Sequence, residues 1–99
     1  MSYKLIVKTN ASIEIENVIA YYSAFNILLA QKIELEIRIG FQYISKYPES
    51  FQCKYNNVRI FWIDKFPYGI YYIFDKEEVF ILAFWHEKED ITYKTSQIL

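Results

Sequence analysis

The sequence predicts a two-layer α+β fold: an N-terminal strand, a helix hairpin, then an antiparallel meander sheet. Three observations predict it. Residues 12–25 and 27–46 carry apolar stripes at helical spacing. From residue 51 the pattern changes to short apolar runs broken by turn residues, as in "YNN" and "DKEE". And 99 residues fill one domain, 1–99, with one modest core.

The elements follow in order. Residues 3–8, "YKLIVK", alternate weakly and read as the first strand. "TNAS" supplies turn chemistry, with Ser12 as the expected N-cap and Glu14 and Glu16 in a first turn where the helix dipole favours negative charge. Ile15, Val18, Ile19 and Tyr22 then mark one helical face. Residues 33–39, "IELEIRI", alternate as a strand would, yet Leu29, Ile33, Ile37, Phe41 and Ile44 form a helical stripe. Good helix formers and no turn residue between 27 and 39 favour a helix over 27–46, stopped by Pro48. "FQCK", 58–64, 69–74 and 79–86 complete the sheet. The tail beyond 86 is polar, with a few apolar residues.

In this chain 54% of residues are hydrophobic and 20% aromatic, too apolar for a disordered segment. "DKFPYGIYYIFD" shows where the rings gather. Strict alternation sets Ile70, Tyr72 and Phe74 against Tyr71 and Ile73. It likewise sets Val79, Ile81, Ala83 and Trp85 against Phe80, Leu82, Phe84 and His86. Both faces are then apolar, and two helices cover only one. The second needs the tail, a second copy or a partner chain. Tyr71, Ile73, Trp85 and Tyr22 are the candidate partner-binding residues.

Net charge is −1 and pI about 5.8, unlike proteins that grip nucleic acid mainly through phosphates. One cysteine, Cys53, allows no internal disulfide and fits a reducing, cytoplasmic setting. No apolar run is long enough for a signal peptide or a membrane span. Two glycines rule out a glycine-rich phosphate loop, and one histidine with one cysteine makes no structural zinc site. No metal or cofactor is expected. Arg59 could hold a phosphate, His86 could move a proton, and Lys88, Tyr93 and Lys94 follow in the tail. Such a set would suit RNA cleavage. Taken singly, a strand-start arginine usually reaches solvent and a strand-end histidine usually sits at the surface.

The order Arg59, Phe66-Pro67-Tyr68, Tyr72, acidic turn, aliphatic strand and terminal His86 closely resembles the C-terminal half of RelE/ParE-type toxins of bacterial type II toxin–antitoxin (plasmid stabilisation) systems. The first strand, the helix pair with "YY" at 21–22, and Pro48 extend the resemblance over nearly the whole chain. It implies a helical 33–39, a cytoplasmic toxin and a cognate antitoxin wrapped on the apolar surface. The assembly would be a homodimer or a toxin–antitoxin hetero-oligomer. The ParE-like branch inhibits DNA gyrase. The RelE-like branch is a ribosome-dependent mRNA endonuclease, for which Arg59 would anchor phosphate, His86 or Tyr93 transfer the proton and Lys88 stabilise charge. The Phe-Pro-Tyr, Tyr and His pattern and the low pI favour the ParE-like branch. ParE-like members follow the histidine with basic residues and a proline, whereas Glu87, Lys88, Glu89, Asp90 and Ile91 follow here, so one expected basic position is acidic, which leaves a third reading: a degenerate member or a small α+β binding module without toxic activity.

Overall fold

The computed structural model describes residues 2–89. Strand β1 (Lys4–Val7) leads into α1 (Thr9–Phe25) and α2 (Ile27–Lys46). A 3-10 turn over Pro48–Ser50 then precedes β2 (Gln52–Tyr55), β3 (Val58–Trp62), β4 (Tyr68–Phe74) and β5 (Glu78–His86). The sheet order is β1-β5-β4-β3-β2. The last four strands form the antiparallel meander, while β1 pairs in parallel with β5.

The first helix begins earlier than its sequence suggests. Lys8 is still tied to the sheet, its N–H donating to the Ile81 carbonyl at 2.9 Å. The helix starts at the next residue, with no side-chain cap and no acid in its first turn. Ser12 is therefore not the cap; its N–H makes the first helical bond, to the Lys8 carbonyl at 3.0 Å. Attachment to the sheet fixes this start, so the preference for Ser at an N-cap is overridden.

The hairpin turns on one residue. The N–H of Asn26 closes α1 on the Tyr22 carbonyl, and its side chain accepts from Leu28 N–H at 2.9 Å to cap α2. Helix α2 runs over 27–46 as expected and buries Ala30, Ile33, Ile37, Gly40 and Ile44. Leu29, expected on that stripe, is 37% exposed, and Ala30 takes the inward place. At Gly40 the helix lies so close to the sheet that a Cβ would stand 2.7 Å from Ile70 Cδ1 and 3.1 Å from the Phe61 ring.

Helices α1 and α2 cover one face of the sheet. Ile70, Tyr72, Val79, Ile81 and Phe84 lie in the core beneath them. The other face holds a second cluster: Val58, Ile60, Tyr71, Leu82, Ala83 and Trp85. This division corrects the alternation expected for the last strand. Tyr72 pairs with Ile81 and Tyr71 with Ala83, so Leu82 is an extra residue in β5. That bulge reverses the parity, and Phe84 joins Val79 and Ile81 on the helix side instead of opposing them. The second cluster is buried in the isolated chain, so it needs neither a second copy nor a partner to leave water. The tail, also expected as a cover, is described only as far as Glu89.

Candidate functional site

Of the residues expected to cleave RNA, Arg59 and His86 do not converge. Arg59 sits on β3 opposite Tyr72, and His86 ends β5 opposite Tyr68. Four residues along β4 and two strand spacings across the sheet put their Cα atoms roughly 16 Å apart. The Arg59 guanidinium is also engaged. Its Nη1 donates to the Phe51 carbonyl at 2.8 Å and the Glu49 carbonyl at 3.1 Å, and it lies over the Phe74 ring at 5.6 Å. Beside it the buried Tyr72 hydroxyl donates to the Pro48 carbonyl at 2.6 Å. Together these bonds fasten the turn after α2 to the sheet.

His86 stands edge-on to Tyr68, ring centres 5.2 Å apart. Its Nδ1 accepts from Lys88 N–H at 3.1 Å, which places the proton of the neutral ring on Nε2. Lys88 is exposed in the turn that follows, and Tyr93 lies outside the described residues. The described residues contain no group of three or more histidine, cysteine or acidic side chains placed to hold a metal.

Glu14 does something the sequence concealed. Beyond Ile81 the chain of β1 has left the sheet for α1, which would strand the donors on that edge of β5. The Glu14 carboxylate reaches across from α1 and accepts from Phe84 N–H at 3.1 Å and Trp85 Nε1–H at 2.6 Å. A side chain thus continues the ladder where the strand ends.

The four residues expected to meet a partner separate. Tyr71 and Trp85 are buried, at 0% and 4% exposure, and Ile73 is half-buried. Tyr22 instead lines an open cleft of about 350 Å³ with Asn17, Val18, Tyr21, Tyr68 and His86. Its rings meet nearly at right angles in succession: Tyr21 on Tyr22 at 86°, Tyr22 on Tyr68 at 76°, Tyr68 on His86 at 83°. The Tyr68 hydroxyl is pushed up to about 12, first by burial, then by Tyr22 and the negative charge of Glu89. It stays protonated at any physiological pH.

The cleft adjoins an exposed surface along α1. Ile13, Asn17, Tyr21 and Phe25 recur every fourth residue along α1, and Phe25 (69% exposed), Ile27 and Leu28 crown the hairpin. Tyr21 and Phe25 form an i, i+4 ring pair, but the adjoining ring of Tyr22, which falls on the inward face, hid which side of the helix is exposed.

A hairpin laid over a five-stranded sheet, its rings presented at one corner, defines a small two-layer α+β protein with an exposed apolar surface. A family model described as the ParE toxin of the type II toxin–antitoxin system parDE matches residues 5–91, and the chain belongs to that family. It is the toxin component of such a system. A solved structure described as the chromosomal ParDE TA system from P. aeruginosa is similar in fold, with a TM-score of 0.74 at 13% identity. The match covers 86% of this chain and 96% of that one. No curated protein matches the sequence. Among the described residues no helix is long and apolar enough to cross a membrane.

Proposed function

We propose that this toxin acts in the cytoplasm on a DNA gyrase-type target, not on ribosome-bound mRNA, and that a cognate antitoxin neutralises it in a hetero-oligomer. The observation that carries the choice of target is the engagement of Arg59. Two of its guanidinium donors, both on Nη1, are held by backbone carbonyls, which gives the group a structural role at the turn after α2 and weakens it as a phosphate anchor. The distance to His86 and the net charge of −1 support the same choice, because a ribosomal surface repels an acidic protein. The antitoxin's landing surface in this reading is the exposed stripe of α1 and the hairpin tip.

Purified chain, with and without the product of its neighbouring gene, tests the proposal in a gyrase supercoiling assay and a ribosome-dependent mRNA cleavage assay. Supercoiling should fall with the toxin alone and recover when the neighbour is added. Cleaved mRNA with intact supercoiling would overturn the target. Neither activity would move the chain to the non-toxic, partner-binding reading.

A further inference from the structure

The turn of the helix hairpin and the second half of α1 carry no charge. No position from Asn17 to Gln31 is acidic or basic. Yet Ile13, Tyr21, Phe25, Ile27 and Leu28 are each between 49% and 69% exposed, where a solvated helix face ordinarily carries charged residues. Ile13, Asn17, Tyr21 and Phe25 form one i, i+4 ridge along α1, and the exposed Ala20 and Ala24 form a shallow groove beside it. Tyr21 rests edge-on against Phe25, ring centres 5.0 Å apart, so part of the ridge is set before any partner arrives. A ridge and a groove on the same helix can complement each other in a second copy.

We infer that two copies of this chain pair through α1, antiparallel about a two-fold axis, and that the antitoxin takes the same surface, so that each excludes the other; the second half rests on the toxin–antitoxin reading above. Three observations favour a second copy. About a two-fold axis a surface meets itself, so a charge near the axis would meet its like, and this stretch has none. An axis at the midpoint of the ridge sets Ile13 against Phe25 of the other copy and Asn17 against its Tyr21. The one polar pair is then an amide and a hydroxyl, each both donor and acceptor. A slip of one turn sets either Asn17 against Phe25 or Phe25 against Thr9, so one register is preferred. The area also suffices. At roughly 200 Å² for a large side chain, the five exposed ones offer roughly 600 Å² per copy and about 1,200 Å² in the pair, the lower end of specific interfaces.

Two arms test this with the full chain. In the first, sedimentation from about 1 to 100 μM should show a dimer with a Kd on the order of micromolar. Ala20, exposed and next to the midpoint of the ridge, is replaced by Glu or by Lys; both suit a helix, so the melting temperature should hold. Either variant alone should weaken the dimer on the order of ten-fold or more, and an equimolar mixture should restore it, because unlike charges then meet across the axis. A monomer at about 100 μM, a dimer indifferent to Ala20→Glu, or a mixture that stays monomeric would overturn the pairing. In the second arm, Ala20→Cys in a Cys53→Ser background, which removes the exposed native thiol, is bridged by a short bis-maleimide. The reagent should capture the dimer, and the bridged dimer should fail to bind the product of the neighbouring gene while the unbridged chain binds it. Failure to capture a dimer would count against the pairing; binding by the bridged dimer would overturn the exclusion and leave the pairing in place. A neighbouring gene product that does not bind the wild-type chain would remove the partner reading, and the exclusion with it, while the first arm still decides the dimer.

Discussion

Replacing Glu14 by alanine should be among the most damaging single changes on this protein's surface. The carboxylate accepts two hydrogen bonds that join α1 to the stretch of β5 beyond its pairing with β1, from Phe84 N–H at 3.1 Å and Trp85 Nε1–H at 2.6 Å. Hydrogen bonds to a charged group are worth about 1.5–3 kcal/mol each, and a donor left buried without a partner costs a similar amount. Glu14 is half-buried, so water recovers part of this, and the net loss should be about 2–4 kcal/mol. For a domain of this size that lowers Tm by about 10–25 °C. Glu14→Gln keeps one acceptor but turns an amide N–H₂ towards the other donor, so it should recover about half. Thermal melts followed by circular dichroism give the stability, and the Trp85 indole N–H signal reports the bond itself. If Glu14→Ala melts within about 2 °C of wild type and leaves that signal in place, the latch has no energetic role and the reasoning fails.

Three further outcomes are expected. Gly40→Ala should lower Tm by several degrees, although alanine is the better helix former by about 1 kcal/mol. The new methyl meets the fully buried Ile70 at 2.7 Å, and overpacking of this kind costs about 1–3 kcal/mol; a rise in Tm would show the interface has slack. Tyr71→Phe should leave stability unchanged or raise it, because the buried Tyr71 hydroxyl has no hydrogen-bond partner among the described residues; a loss above about 1 kcal/mol in a denaturant titration would reveal a partner for it. Tyr68, Tyr71 and Tyr72 should ionise only at strongly alkaline pH. Burial is the largest cause for each, and it pushes Tyr68 and Tyr71 up to about 12 and Tyr72 higher still. Each raised hydroxyl pKa adds stability that is complete below the unfolded value near 10 and is lost as pH climbs through the folded value. Absorbance titration should therefore show a late tyrosine step coincident with alkaline unfolding; complete ionisation in a single step near pH 10 would contradict it.

Helix α2 was legible because its evidence was local and redundant. Ile33, Ile37 and Ile44 repeat at helical spacing and Pro48 ends the run, which favoured 27–46 over the strand-like alternation of 33–39, and the family resemblance decided it. The start of α1 was not, because Lys8 is held by the Ile81 carbonyl, more than 70 positions along the chain, and no local residue signals that bond. The parallel pairing of β1 with β5 was hidden for the same reason: neighbouring turns fix the meander, but nothing near residues 4–7 names their partner. The site residues were read less well. Arg59 and His86 have the chemistry for phosphate work, and residue type alone cannot show that one is tied to carbonyls and the other lies at the far end of the neighbouring strand pair. Tyr22 was placed at a partner surface from the excess of rings, whereas Tyr71 and Trp85, chosen on the same argument, are buried.

The bulge at Leu82 connects these results. With strict alternation Ala83 and Trp85 would face the helices, and Phe84 and His86 would join the other side of the sheet. One extra residue exchanges them. Phe84 then stacks on Tyr68 at 5.0 Å, and His86 completes the row of rings facing Tyr21 and Tyr22. The same exchange sends Trp85 into the second cluster, while its indole N–H remains within reach of Glu14 on α1. A bulge also loosens the strand that carries it, and β5 has already lost its neighbour β1 at this point. The Glu14 latch therefore sits where the reversal needs support, and the cleft inherits its geometry from both. Loss of the latch should reach the cleft as well as the melting temperature: in Glu14→Ala, studied well below its Tm, the His86 and Tyr68 ring signals should broaden or shift, although neither residue touches Glu14. Sharp, unmoved signals would mean that the bulge holds its register unaided and that the cleft is independent of the latch.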